Sequence, residues 1–335
     1  MGVTNRKAGI KIDEPAEFKR KLGSLVDETK RSEVLSDMSA FCSLFALPGG
    51  YIQPVLASAI ECVGIKCDFL YKLGRLEGLG QDVVAAAVND LITCGAHPLF
   101  FLDYIATEQF EEELVEGIVK SVAKACAKIN CALVGGETAQ MPGVYAPGHF
   151  DLAGSVVGVV ERKKVLGPSK VRVGDQIMGL PSNGLHSSGY QLIKAILGND
   201  EKENIEKIDK EVDFDLIEEL VRPTRIYAKE MEAISDFEGV HAAANITFGG
   251  LWENIKRVIP EVLIASLDIS EIDTPPIFTW LAEKGDVRRD EMYKSFNMGI
   301  GFAVICSYSM VDTLIDNGFS LIGEVKSRSH FDQDN

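Results

Sequence analysis

Apolar runs of two kinds alternate along the chain, and none approaches the ~18–20 apolar residues needed to span a bilayer. Runs of strand length, LFFLDYIAT (99–107), CALVGGET (131–138) and LAGSVVGVVE (152–161), are separated by stretches of helical period. Residues 111–129 put Leu114, Val115, Ile118, Val119, Val122, Cys126 and Ile129 on one face, with acids in the first turn and lysines later. Residues 82–94 read as a mostly apolar helix with Asp82 as N-cap and Gly95 past its end. YQLIKAIL (190–197) is predicted helical, with Gly198 as its stop, and 199–220 is an acidic, solvated helix and loop. Strands are predicted for DQIMGL (175–180) and at 262–267, 300–307 and 320–326, and CALVGGET is predicted to end in a Gly-Gly turn. The first 30 or so residues are charged and read as an arm or a frayed helix. Strands alternating with helices in both halves point to α/β or α+β layers. RKKVLGPSKVRVGD (162–175) concentrates basic, Gly and Pro residues, which divides the chain into expected domains 1–167 and 168–335.

Composition narrows the partners. The chain has 34 Lys and Arg against 50 Asp and Glu, a formal net charge of −16. Such a field repels phosphate backbones and anionic surfaces, so neither a nucleic-acid nor a membrane partner is expected. An anionic substrate would need local cations, backbone N–H groups or a bound metal ion. The seven cysteines are odd in number and partly embedded in apolar runs, such as Cys126 and Cys306, and the C-x4-C pairs 62/67 and 126/131 make a poor zinc pattern. The N-terminal MGVTNRKAGIKIDEPAEF lacks the apolar core of a signal peptide, and a cytoplasmic protein is expected.

Standard signatures fail. GLPSNG (179–184) continues Leu185-His186 where a P-loop needs Lys and Ser or Thr, and neither a Rossmann glycine fingerprint nor a G-x-S-x-G occurs. What remains is a set of polar residues in apolar settings. Asn89 and Asp90 interrupt an apolar helix, either as site residues or on a face that reaches solvent. Glu137 follows Gly135-Gly136 at a strand end, where α/β sheets place ligands and where chains also merely turn. His186, in PSNGLHSSG, either meets an anion at a helix start or caps the turn. Asp103 and Asp151 are site acids or salt-bridged structural ones, and Lys66 is a phosphate-facing cation or a snorkelling surface lysine.

Taken in order from about residue 8 to 325, several long segments resemble the aminoimidazole ribonucleotide synthetase (phosphoribosylformylglycinamidine cyclo-ligase) family. They are VNDL (88–91), HPLFFLDYIAT (97–107), GGETAQMPGVY (135–145), DLAGSVVGVVER (151–162), GLPSNGLHSSGYQL (179–192), RPTRIYAK (222–229) and MYKSFNMGIG (292–301). The resemblance implies a two-domain ATP-dependent synthetase fold whose N-terminal sheet forms a barrel across a homodimer. It implies ATP and Mg²⁺ as cofactors and formylglycinamidine ribonucleotide as substrate. The catalytic residues it implies are His186, Asp90, Lys66 and Asn245. Nucleotide contacts would come from Gly64, Lys66, Asp90, Gly136, Glu137 and Thr138. Substrate contacts would come from His186, Ser187, Asp103, Asn245 and Thr247, and Mg²⁺ ligands from Glu61, Asp90 and Glu137.

Departures cluster in those regions. Glu61-Cys62-Val63-Gly64-Ile65-Lys66 stands where the family reads Asp-Gly-Val-Gly-Thr-Lys, and Asn245 stands for a histidine in Ala244–Gly250, where Phe248 replaces a glycine. Met38–Ser43 replaces a glycine-rich segment, and an arm lysine falls on Gly23, with Lys21 nearby. Two functions follow from the resemblance: a working, divergent cyclo-ligase, or a non-catalytic paralogue that keeps the dimer fold and binds a nucleotide or protein.

Overall fold

A computed structural model describes residues 16–37, 40–198, 201–270 and 272–328. The described chain divides into two compact units. The first takes in the described residues up to Ile52, with Ser58–Val88 and Pro98–Gly158; the second takes in Gln53–Ala57, Asn89–His97 and Val159 onward. The expected N-terminal arm lies outside the described residues as far as position 15. From there a regular helix, α1 (Ala16–Asp27), docks Phe18 edge-on against Phe110 and pairs Lys21 with Glu116.

The first unit holds most of β1 (Pro54–Cys62), α3 (Leu79–Leu91), β2 (His97–Thr107) and β4 (Phe150–Glu161), and all of α2 (Ile65–Leu73), α4 (Glu112–Lys128) and β3 (Ala132–Gln140). Its four strands form one sheet in the order β1-β4-β2-β3, with β2 and β3 parallel. Helix α4 forms where its period predicted: Leu114, Val115, Ile118, Val119, Val122 and Cys126 are all buried, with Glu112 and Glu113 in the first turn and Lys128 in the last. It crosses α3 closely at Gly80, where a Cβ would collide with the backbone of Ile118 and Val122. The small residues of β4 also have a reason: the ring of Phe101 lies over Gly154. The opposite edge of the pattern is bare. Ile60 on β1 is 71% exposed and Leu102 on β2 is exposed, whereas Phe101 and Ile105, on the other face of β2, are fully buried.

Two expectations need correction here. Asp82 is not an N-cap: α3 starts three residues earlier, and the Asp82 side chain is buried against a lysine. Nor does β3 end in a turn at Gly135-Gly136; a bulge opposite Phe101 and Leu102 absorbs one residue and the strand runs on to Gln140.

The second unit carries β5 (Gln176–Pro181), α5 (Tyr190–Leu197), α6 (Glu201–Ile208), α7 (Leu216–Val221), α8 (Ala228–Ile234), β6 (Val240–Asn245), α9 (Gly250–Lys256), β7 (Leu263–Leu267), α10 (Pro276–Gly285), α11 (Arg289–Ser295), β8 (Ile300–Cys306), α12 (Val311–Asp316) and β9 (Ser320–Ser327). Its sheet runs β6-β8-β5-β9-β7 with antiparallel pairs throughout. Every residue of β8 is buried, as expected of an inner strand covered on both faces. Gly189 (φ 81°) opens α5 because the ring of Phe296 fills the space a side chain would need. Among the described residues, no helix is long and apolar enough to cross a membrane.

Candidate active site

Asp90, His186, Ser187, Asn245 and Thr247 belong to the second unit, and Glu61, Gly64, Lys66, Asp103, Gly136, Glu137 and Thr138 to the first.

In the second unit the end of α3 is pinned by its polar pair. Asn89 is 1% exposed, and its amide is used at both ends: Oδ1 accepts from the Tyr227 N–H at 3.0 Å, and Nδ2 donates to the Arg225 carbonyl at 2.9 Å. A buried amide satisfied in this way is a strut. Asp90, half-buried, differs: its Oδ1 accepts from Nδ2 of Asn245 at 2.8 Å. Two residues singled out separately, 155 positions apart, are therefore partners. Asn245 ends β6 opposite Phe302 of β8. Beyond it, Thr247 leads into a turn in which Phe248 is 78% exposed and Gly249 and Gly250 have φ of 98° and 69°. Only glycine fits at 250, because the Tyr293 carbonyl occupies the position of a Cβ. Asn254 closes the turn by donating to the Gly250 carbonyl at 2.8 Å.

The loop between β5 and α5 is fixed from two sides. Asn183 donates to the Pro223 carbonyl, Ser187 shares a 3.0 Å hydrogen bond with Thr224, and both Arg225 and the Tyr227 hydroxyl donate to the Pro181 carbonyl. From the other side Asn297 donates to the Gly184 carbonyl, and the Ser182 N–H to that of Gly299. These bonds hold His186 in the left-handed region (φ 61°), a conformation that costs a non-glycine residue about 1–3 kcal/mol. The imidazole is 6% exposed and lies so close to Gly301 that a Cβ there would collide with it. Burial pushes the neighbouring Tyr227 hydroxyl well above its ordinary range, so it stays a donor.

In the first unit Glu61 is exposed at the end of β1. Gly64 precedes α2 with φ 68° and open space around it. Lys66 corrects one of its sequence readings: it is not a surface lysine, since it is fully buried with its Nζ 2.9 Å from Oδ1 of a fully buried Asp82. Desolvation lowers the pKa of the ammonium and the Asp82 charge opposes that shift; the ion pair itself joins α2 to α3. The parallel β2–β3 register sets Asp103 opposite Gly136, Tyr104 opposite Glu137 and Ile105 opposite Thr138. Gly136 is required because a Cβ would strike the Asp103 carboxylate and carbonyl. Burial pushes the Asp103 carboxyl up to about 7. Glu137 is exposed, but mid-strand and not at a strand end.

Among the described residues, no three His, Cys, Asp or Glu side chains converge as a metal cage. Single hard carboxylates such as Asp90 and Glu137 suit a Mg²⁺ ion carried by phosphates, which ordinarily takes one or two protein carboxylates. Sequence reasoning did not find Asp82, Thr224, Arg225, Tyr227 or Asn297 as supports. The only signal for three of them was the segment RPTRIYAK.

A two-domain α/β fold with these glycine turns and this pinned histidine loop defines a class. The model described as AIR synthase related protein, N-terminal domain, matches residues 50–160, and its C-terminal counterpart matches 172–332. The chain belongs to the AIR synthase related family. It is 42% identical over 306 residues to a phosphoribosylformylglycinamidine cyclo-ligase from Myxococcus xanthus, covering 91% of this chain and 89% of that protein. It is 41% identical to one of the same name from Trichlorobacter lovleyi, covering 98% and 96%. A hydrogenase maturation protein HypE solved in complex with ATP shares the fold (TM-score 0.66, 14% identity, covering 92% of this chain and 86% of that one).

Proposed function

We propose that the chain is an ATP-dependent cyclo-ligase of purine biosynthesis, closing the imidazole ring of formylglycinamidine ribonucleotide to give aminoimidazole ribonucleotide, ADP and phosphate. The observation that carries this reading is identity of about 40% with proteins of that name across nearly the whole chain. An amide oxygen is a poor leaving group. Transfer of the terminal phosphoryl of ATP onto it makes a phosphate ester-like group; the amidine nitrogen then attacks the same carbon, and the C–O bond breaks with phosphate leaving. Asp90, in the second unit, would hold Mg²⁺ with the nucleotide, and Glu137, in the first, is a carboxylate of the same kind. Bound there, Mg²⁺ would neutralise charge on the transferring phosphoryl group. Gly64, with open space around it, would allow close backbone approach, and Thr138 would add a hydroxyl. His186 and Ser187 face the substrate from a loop already locked in place, so little ordering is left for binding. Thr247 lies in the turn beyond Asn245.

The alternative of a non-catalytic paralogue, which rests on apolar Ile65 and Phe248 at positions the resemblance gives to polar or bare residues, is disfavoured by identity of about 40% with proteins named as cyclo-ligases. The bare apolar face carrying Ile60 and Leu102 supports a homodimer in which a second copy covers this sheet and completes a barrel. The domain boundary at 167/168 and a cytoplasmic setting belong to the same reading. The test is phosphate release with ATP and Mg²⁺, with and without the ribonucleotide, and with Asp90→Asn as blank. Substrate-dependent release that disappears in the variant supports the assignment; none from the folded wild type refutes it.

A further inference from the structure

We propose that Asn245 is a positioning residue for Asp90, holding one carboxylate oxygen so that the other is presented to the cation that accompanies the nucleotide. The inference rests on the reading of Asp90 as a metal–nucleotide contact. Its geometric basis is the 2.8 Å bond from Nδ2 of Asn245 to Oδ1 of Asp90. Both partners stand on rigid supports. Asn245 is 8% exposed and ends the edge strand β6, paired opposite Phe302 of the fully buried β8. Asp90 follows Asn89, whose amide is bonded at both ends to residues 225–227. A donor on an ionised carboxylate makes a charge-assisted bond and fixes the rotation of the group. The choice of an amide matters, because it donates without positive charge. A lysine or arginine there would also orient Asp90, but would compete with a metal ion for the same negative charge. An amide does not titrate, so the donor itself does not change with pH. The departure from histidine at this position is thus a change in the kind of donor, with the donor itself retained.

The test is calorimetric binding of ATP to the full chain with and without Mg²⁺, using Asn245→Leu, Asp90→Asn and the double variant. Supporting groups behind metal ligands typically contribute 10–100-fold in metal affinity. Asn245→Leu is expected to lose about that factor in Mg²⁺-supported affinity. Its metal-free ATP affinity and melting temperature should stay near wild type, and it should have no further effect on top of Asp90→Asn. Asn245→His, which keeps an N–H donor, should recover most of the loss. If the leucine variant folds poorly, Asn245→Ser, too short to reach Asp90, replaces it. Wild-type affinity in the leucine or serine variant, or an equal loss with Asp90 already removed, overturns the inference. Wild-type Mg²⁺·ATP binding by Asp90→Asn would instead sink the reading of Asp90 itself, which the single variants keep distinguishable.

Discussion

Replacing Asp103 by Asn should stabilise the first unit at high pH and leave it almost unchanged at low pH. The carboxyl is buried against Gly136 on the covered face of β2, and desolvation carries it from 3.8 to about 7. An acid whose folded pKa is raised binds its proton more tightly when native. Its contribution is therefore intact below about 4 and is lost as pH rises to about 7, above which the penalty is constant. At about 1.4 kcal/mol per pH unit, a shift of roughly three units sets a ceiling of about 4 kcal/mol at pH 8. Partial relaxation around the charge would leave less. Both tryptophans, Trp252 and Trp280, lie in the second unit, so their fluorescence is blind to this change. Hydrogen exchange of peptides from β2 and β3, followed from pH 5 to 8, reports it directly. The wild type should lose protection with rising pH, after correction for intrinsic exchange, and Asp103→Asn should not. Parallel pH profiles for the two proteins would show that the carboxyl is not desolvated as argued.

Other perturbations probe other parts of the account. Lys66→Met removes the ion pair from the fully buried Asp82 carboxylate, and should lower stability by about 3–5 kcal/mol in thermal unfolding, while a Lys66→Met/Asp82→Leu pair should regain much of it. Gly136→Ala should destabilise by about 1–3 kcal/mol, and Asp103→Ala should not rescue it, because the Asp103 carbonyl is also in the way. Leu102→Asp on the bare sheet face should shift the protein from dimer to monomer in sedimentation without unfolding it.

Legibility in the sequence followed the range of the interactions. Helices α4 and α5 fall where their periods placed them, because burial of one face is written locally in Leu114–Cys126 and in Tyr190–Leu197. Strand β6 escaped: VHAAAN has little strand propensity, and it is its ladder with β8 that makes it one. The Gly-Gly pair of β3 looked like a turn because its real reason, close approach of Asp103, comes from a neighbouring strand. Asp90, Glu137 and His186 stood out as polar residues in apolar or glycine-rich settings. Their supports did not, since Asn245 meets Asp90 across 155 positions and Asn89 meets Tyr227 across 138. The burial of Lys66 was hidden for the same reason: nothing near it in the chain announces Asp82.

The central claim, that ring closure proceeds through phosphorylation of the amide oxygen, is tested most directly by an isotope. Formylglycinamidine ribonucleotide carrying heavy oxygen in its formyl amide would be turned over with ATP and Mg²⁺, and the released phosphate examined by mass spectrometry. One labelled oxygen is expected in each phosphate formed, with product lighter than substrate by one labelled water. Product formed with unlabelled phosphate would contradict it.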